Sequence, residues 1–221
     1  MRLLLRFSLF ALILISVMSF SEKKRKKVIF FGDSITQAGA EKPEGYINIL
    51  KQKVDTTAYQ LIGKGISGNK VTDLEKRVKK DVLKLNPDVV FIYIGINDVW
   101  HFYEPEGAVG TKIERYESGL RKLTNELNAQ NIRTILCTPT VIGEEPSFDG
   151  EINHELEKYA EIVRKVAKET DSELCDLRTA FKDYIKQNNP SAANSGILTT
   201  DRVHLNDKGD KFVAELFSKY L

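Results

Sequence analysis

The stretch VIFFGDSIT, residues 28–36, joins a short apolar run to a glycine, an aspartate and a serine. Four consecutive apolar residues, Val28–Phe31, are typical of a strand that is buried on both faces of a parallel sheet. Ser34 follows the end of this predicted strand. A serine at the turn from a strand into a helix presents its hydroxyl at the rim of the sheet, which suits a nucleophile. The stretch therefore predicts a parallel α/β fold with Ser34 as the candidate nucleophile.

Further apolar runs follow the first one, and amphipathic stretches lie between them. The predicted strands are Val28–Phe31, Tyr59–Ile62, Val89–Ile94, Ile132–Cys137 and Glu173–Cys175. Apolar residues also recur at spacings of three and four across residues 113–127, 152–166 and 212–220, which is typical of amphipathic helices. Strands that alternate with helices pair in parallel through right-handed crossovers. We therefore expect one domain, a three-layer α/β/α sandwich with a central parallel sheet.

The charge of the chain argues against a nucleic-acid partner. The 221 residues include 33 Lys and Arg against 31 Asp and Glu, and five of the basic residues form the run 23–27. The remainder is therefore slightly acidic and carries no basic footprint for nucleic acid. We expect the basic run to be a solvated linker, with contact to anionic lipid as the alternative.

The first 21 residues resemble a secretory signal peptide. Two arginines precede an apolar segment at Phe7–Met18, and small residues follow it, so that cleavage after Ser21 is expected. A bilayer-spanning helix needs about 20 apolar residues, so an uncleaved anchor over residues 3–20 is the alternative. We therefore expect a secreted or periplasmic protein, or one anchored to the membrane by this segment. The expected boundaries are 1–21 for the signal peptide, 22–27 for the linker and 28–221 for the folded domain.

The chain contains two cysteines, and both fall in predicted strands. Cys137 and Cys175 are expected to be buried as small apolar residues. A disulfide between them requires neighbouring strands in a suitable register, and this alternative stays open. Two cysteines without nearby histidines do not form a zinc site, so no metal is expected.

A serine hydroxyl needs a positioned base, and the chain offers three histidines. His154 lies in an amphipathic helix and is expected at the surface, whereas His101 follows the third strand and is a competitor for the role. His204 has Asp201 three residues before it, and in a turn two such side chains face one another. Asp201 then binds the imidazole Nδ1–H and leaves Nε2 free to accept the Ser34 proton. The alternative is that Asp201 only caps a turn before the last helix.

Two short motifs between the serine and the histidine supply candidate oxyanion donors. GISGN at residues 65–69 follows the second strand, and GIND at residues 95–98 follows the third. The donors would be the backbone N–H of Gly68, the side-chain amide of Asn97 and the N–H of Ser34. In an open parallel sheet these positions meet at one edge. Taken singly, Gly68 and Asn97 are equally typical of ordinary turns, and the ordered set is what indicates an esterase.

These four motifs, in this order, resemble the four blocks of the SGNH hydrolases, also called GDSL lipases and esterases. The resemblance runs from Val28 to Phe217, and the Ile that follows the serine in place of Leu is common in the esterase branch. It implies a flavodoxin-like fold, cleavage of carboxylic esters or thioesters, and no cofactor. The roles that it implies are nucleophile and oxyanion donor for Ser34, further oxyanion donors for Gly68 and Asn97, base for His204, and orienting acid for Asp201.

Several residues near these motifs are candidates for the walls of a substrate pocket. Aromatic faces pack on acyl chains and on sugar rings alike, although they also serve simply to pack a loop. Arg202 is expected to face solvent, with contact to an acidic substrate as the alternative. The candidate pocket residues are Asp33, Trp100, His101, Tyr103 and Pro139.

The sequence as a whole predicts an exported serine carboxylesterase that works through an acyl-serine intermediate. The preferred substrate is a small-molecule or carbohydrate ester, with acetyl as the acyl group. A lysophospholipase or thioesterase with longer acyl chains is one alternative, and a non-catalytic binding module on the same fold is another. A nucleotide-binding domain is disfavoured because no GxGxxG turn follows the first strand. The oligomeric state is left open.

Overall fold

A computed structural model describes residues 24–104 and 109–221. The predicted signal peptide and the start of the predicted linker lie outside the described residues. Within the two described ranges, no helix has the length and apolar character that crossing a bilayer requires.

Five strands form a single parallel sheet. They are β1 (Lys26–Gly32), β2 (Tyr59–Gly65), β3 (Val89–Tyr93), β4 (Arg133–Cys137) and β5 (Glu173–Cys175). Neighbouring strands pair in the order β2-β1-β3-β4-β5. This is the order of flavodoxin-like doubly wound sheets, in which ligands bind at the carboxyl ends of the strands beside the point where the order reverses. The predicted fold class is confirmed.

The predicted linker is shorter than expected because the first strand begins early. Lys26 and Lys27 belong to β1 rather than to a solvated connection. The N–H of Lys26 donates to the carbonyl of Ala58, and the N–H of Lys27 donates to a carboxyl oxygen of Asp88. These backbone bonds extend β1 by two charged residues at its amino end, where Lys26 is exposed and Lys27 is half-buried.

Eight α-helices are described, together with a short 3₁₀ turn at Leu83–Leu85. The helices are α1 (Ser34–Glu41), α2 (Tyr46–Lys53), α3 (Val71–Asp81), α4 (Ile96–Trp100), α5 (Ile113–Asn128), α6 (Glu151–Glu169), α7 (Leu177–Asn188) and α8 (Asp207–Ser218). Helix α2 packs on α8. Helix α5 packs on α3 and on α6. The helices α5, α6 and α8 correspond to the three predicted amphipathic stretches.

The two faces of β1 pack against different helical layers. The Phe30 ring stacks on Phe91 of β3 and on Phe217 of α8, with ring centroids 4.9 Å and 5.8 Å apart. The next side chain, Phe31, points to the opposite face, where the guanidinium carbon of Arg77 in α3 lies 4.4 Å from the ring centroid. Both phenylalanines are buried. The strand is thus buried on both faces, which fixes the position of the turn that follows it.

The two cysteines lie side by side in the sheet. Cys137 of β4 and Cys175 of β5 are register partners, and both are buried and free. Burial raises the pKa of the Cys137 thiol. The prediction of two buried thiols is confirmed, and the two residues meet as neighbours on parallel strands.

Candidate active site

Ser34 is the first residue of α1 and follows the carboxyl end of β1. Asp33 caps the helix, because its side chain accepts a 3.0 Å hydrogen bond from the Ile35 N–H. Gly32 makes the close turn possible: a Cβ there would lie 2.4 Å from the Tyr93 carbonyl oxygen and from the Thr36 hydroxyl. The half-buried Ser34 hydroxyl therefore stands at the rim of the sheet, as the sequence predicts.

His204 lies beside the serine although 170 residues separate them in the chain. The distance from Ser34 Oγ to His204 Nε2 is 2.9 Å. The other ring nitrogen, Nδ1, lies 2.6 Å from Asp201 Oδ2. The structure thus brings together the three residues that the first and last motifs single out, in the order required for a hydrolytic triad.

A tight turn holds Asp201 and His204 in this arrangement. One Asp201 carboxyl oxygen accepts hydrogen bonds from the backbone N–H groups of Val203 and His204, at 3.1 and 2.8 Å. Burial alone would raise the pKa of Asp201, but these bonds and the His204 ring outweigh it and lower that pKa. Thr199 and Leu205 close the turn with an antiparallel bridge.

Gly68 and Asn97 flank the same edge of the sheet. Gly68 has a φ of +75°, and a Cβ built on it would meet nothing within 4 Å, so the space above its backbone is open to a ligand. Asn97 lies in the first turn of α4 and is 4 % exposed. Its Nδ2 donates a 3.0 Å hydrogen bond to the Asn69 carbonyl, which orients the amide beside the loop that carries Gly68.

Arg77 of α3 forms hydrogen bonds to several chain segments at this edge of the sheet, and no sequence motif predicts this role. Its guanidinium donates to the carbonyl oxygens of Gly32 and Lys64, at 2.8 and 3.0 Å, and to Asn69 Oδ1 at 2.7 Å. It also pairs with Asp81 one helical turn away, at 3.0 Å. An arginine on the polar side of an amphipathic helix is typical of a solvated residue, so the pattern of α3 alone carries no signal for this role.

The five predicted pocket residues fall into two groups. Trp100 and His101 are half-buried and Tyr103 is 41 % exposed, and the Trp100 ring lies edge-on to His204 with centroids 6.3 Å apart. Asp33 and Pro139 are buried, and their place in the pocket stays a prediction. Asp33 serves as the helix cap, whereas Pro139 lies against Gly95, where an added Cβ would come within 3.3 Å of its ring.

Two buried carboxyl groups lie beneath the site. Burial raises the pKa of Asp33 to about 7 and that of Asp98 to about 7. Both Asp98 oxygens accept from the Val71 N–H, at 3.2 and 3.3 Å, which attaches the start of α3 to the third motif. The pKa of the competing base, His101, is lowered by burial and by nearby Lys70. In the described parts of the chain, no cluster of three or more His, Cys, Asp or Glu is placed to hold a metal ion.

Comparisons with known proteins identify the family of the chain. The model of the GDSL-like lipase/acylhydrolase family matches residues 30–212. The chain is 33 % identical over 208 residues to an acetylxylan esterase of Geobacillus stearothermophilus, covering 87 % of this chain and 92 % of that one. Among solved structures, the acetyl xylan esterase AlAXEase matches with a TM-score of 0.84 and 45 % identity, over 88 % of this chain and 99 % of that chain. Axe2, an acetylxylan esterase from Geobacillus stearothermophilus, matches with a TM-score of 0.77 and 32 % identity, over 90 % and 95 % of the two chains.

The chain therefore belongs to the GDSL-like lipase/acylhydrolase family, the SGNH hydrolases. It is a serine-type carboxylic ester hydrolase, and the predicted family and enzyme class are both confirmed.

Proposed function

We propose that this enzyme removes acetyl groups from carbohydrate esters, with Ser34 as the nucleophile. The observation that carries the proposal is the continuous contact from Ser34 Oγ through His204 to Asp201, at 2.9 and 2.6 Å. Relatives that are 45 % and 33 % identical over most of the chain are named as acetylxylan esterases, which supports acetyl as the acyl group and a sugar hydroxyl as the leaving group.

The first half of the reaction transfers the acyl group to the serine. His204 Nε2 accepts the hydroxyl proton as Ser34 Oγ attacks the ester carbonyl, and Asp201 stabilises the resulting imidazolium. The negative carbonyl oxygen is held by the N–H groups of Ser34 and Gly68 and by the Asn97 amide. When this intermediate collapses, the bond to the sugar oxygen breaks, and His204 returns its proton to the departing hydroxyl.

The second half releases the acid. Water gives a proton to His204 Nε2 while its oxygen attacks the acyl carbon on Ser34, and the same donors hold the second oxyanion. Collapse breaks the bond to Ser34 Oγ, which takes the proton back from His204, and acetate leaves.

The decisive experiment compares esters by acyl length and by alcohol. Acetylated xylo-oligosaccharides and p-nitrophenyl esters from acetate to palmitate are supplied to the wild type, with Ser34→Ala as the inactive control and Ser118→Ala, an exposed serine on α5, as the matched one. We expect acetate to be released from the oligosaccharides, and kcat/KM for the p-nitrophenyl esters to be highest at acetate. Higher kcat/KM for long acyl chains, with no release of acetate from the sugar, would establish the lysophospholipase or thioesterase alternative instead.

We also infer that the protein is exported and that the leader is cleaved after Ser21. The apolar segment Phe7–Met18 behind two arginines supports this inference. Expression of the full chain followed by N-terminal sequencing tests it. A mature protein that begins at Glu22 supports cleavage, and an intact N-terminus in the membrane fraction supports the anchor.

A further inference from the structure

A groove runs across the surface away from the triad in two connected hollows. The hollow nearer the triad is lined by Trp100 and Tyr103. The farther hollow is lined by Phe148 and Asn194. The two hollows adjoin because three residues line both of them, namely Ile142, Ile152 and Arg202.

Two residues of the groove, Trp100 and Arg202, adjoin the catalytic groups. Trp100 is the last residue of α4, the same short helix that carries Asn97, and its ring lies 6.3 Å from that of His204. Arg202 belongs to the turn between Asp201 and His204. The hollow nearer the triad therefore adjoins the catalytic groups on the side of Trp100 and Arg202.

The backbone of Arg202 is held in a conformation that few residues adopt. Its φ is +85°, in the left-handed region that favours glycine. Its carbonyl accepts a 2.9 Å hydrogen bond from the N–H of Gly143, which fixes this geometry. Strain of this kind is found preferentially at binding and catalytic sites. Gly143 is itself required at this contact, because its φ is +87° and a Cβ there would lie 2.4 Å from Asn194 Oδ1.

The Arg202 side chain is available to a ligand. It is exposed, and it makes no ion pair with any residue in the described ranges 24–104 and 109–221. Its guanidinium carries five N–H donors in a fixed plane. The turn therefore presents a free donor group at the place where the two hollows join.

The charge of the groove indicates what the ligand is. Four carboxyl groups line it against the single guanidinium, and they belong to Glu104, Glu145, Asp149 and Glu151. A surface with this excess of acid disfavours an anionic ligand, whereas carboxylates accept hydrogen bonds readily from hydroxyl groups. Apolar surface on Trp100, Tyr103 and Ile152, which are half-buried or exposed, matches the C–H faces of sugar rings.

We propose that the groove binds the alcohol side of the ester as a neutral oligosaccharide that continues beyond the acetylated sugar, with Arg202 donating to its oxygens. This inference rests on the proposed function. It disfavours the alternative in which Arg202 contacts an acidic substrate, because the neighbouring carboxyl groups oppose one. The acetyl group lies at Ser34, and the sugar chain extends from Trp100 towards Phe148.

The kinetic test uses Arg202→Met, which keeps an unbranched side chain about as long as the Arg202 chain up to Nε and removes the guanidinium donors. The measured quantity is the ratio of kcat/KM for an acetylated xylotriose to kcat/KM for p-nitrophenyl acetate. We expect this ratio to fall by about tenfold or more, the effect of losing a charged hydrogen bond. Arg121→Met, on α5 with Glu117 and Glu169 as its partners, is the matched control and should leave the ratio at the wild-type value. An unchanged ratio in Arg202→Met would overturn the assignment of Arg202.

A binding test does not depend on hydrolysis. The Ser34→Ala protein is titrated by calorimetry with unacetylated xylotetraose and with a xylo-oligosaccharide of equal length that carries a glucuronic acid. We expect the neutral sugar to bind at least about fivefold more tightly at low salt, and the difference to shrink as salt screens the carboxyl groups. Equal affinity, or tighter binding of the acidic sugar, would contradict the groove. If sugar acetates are cleaved but neither test responds, the groove is wrong and the proposed function stands. Failure to cleave any sugar acetate removes the proposed function itself.

Discussion

Arg77 donates a 2.8 Å hydrogen bond to the carbonyl of Gly32, the last residue of the strand that leads to Ser34. The same guanidinium binds Asn69, whose own carbonyl orients the Asn97 amide. One side chain of α3 thus joins the strand before the nucleophile to both candidate oxyanion motifs. Arg77 touches none of the reacting atoms, so it is a positioning residue.

Replacing Arg77 by Lys should therefore lower kcat more than it changes KM. A lysine cannot reproduce the planar fork that reaches Gly32, Lys64 and Asn69 together. We expect kcat for p-nitrophenyl acetate to fall by on the order of tenfold to a hundredfold, because displaced donors stabilise the oxyanion poorly. If Arg77 only supported the fold, Arg77→Lys would lower the melting temperature, and kcat measured well below that temperature would equal that of the wild type. Arg115→Lys, on the surface of α5, is the control.

Ser34→Ala should abolish ester hydrolysis without disturbing the fold. A hydroxyl at the rim contributes little to the core, whereas loss of a triad nucleophile costs on the order of 10⁴-fold or more in kcat. A fluorophosphonate should label the wild type at Ser34, as read by peptide mass spectrometry. Label on a different serine would contradict the assignment.

Asn97→Ala should lower kcat by about 10²–10³-fold, the usual effect of removing one oxyanion donor. KM should move little, because the donor acts mainly on the charged intermediate. Steady-state kinetics on a soluble acetate ester separate the two constants. A large rise in KM with kcat maintained would instead make Asn97 a residue that binds the ground state of the substrate.

The buried carboxyl of Asp33 should make the protein less stable as the pH rises from 5 to 8. Burial raises the pKa of Asp33 from 3.8 to about 7, so the folded state holds a proton that the unfolded chain releases. This contribution to stability is complete below the pKa of Asp33 in the unfolded chain, and it is lost as the pH rises through the pKa of Asp33 in the folded protein. Asp33→Asn should make the decline in melting temperature shallower, with the part due to Asp98 remaining, and the exposed-site control Asp183→Asn should leave the decline unchanged. An equally steep decline in both variants would contradict the buried acid as its source.

Glu144→Gln should destabilise the loop that precedes the triad turn. The buried Glu144 carboxyl accepts hydrogen bonds from the backbone N–H groups of Ile197, Leu198 and Thr199, at 2.7, 2.6 and 2.8 Å. In Glu144→Gln an NH₂ group takes the place of one carboxyl oxygen, so that a donor faces a backbone N–H group of this loop. We expect the free energy of unfolding to fall by about 1–3 kcal/mol, measured in urea, whereas the exposed neighbour variant Glu145→Gln should show little change.

Local patterns predicted the strands, the family and the catalytic contacts because each has a signature in adjacent residues. Apolar runs mark the strands, and the acid and base lie within the four residues 201–204. Arg77 and Glu144 escaped prediction, since both are charged residues whose partners are backbone groups far away in the chain. The burial of Asp33 could not be predicted for a related reason: an acid beside a nucleophile suggests a role in the pocket, and only the packing around it shows that it is buried.

The turn from Asp201 to His204 makes the acid and the base of the triad one local unit. Asp201 bonds both the ring and the backbone N–H of His204, so four consecutive residues fix the position of the ring relative to its acid. The tautomer of the imidazole is therefore determined within the turn itself. Only the 2.9 Å contact from His204 Nε2 to Ser34 Oγ joins distant parts of the chain. The reactivity of the nucleophile therefore depends on how the whole fold places this turn against the carboxyl end of β1, whereas the readiness of the base does not.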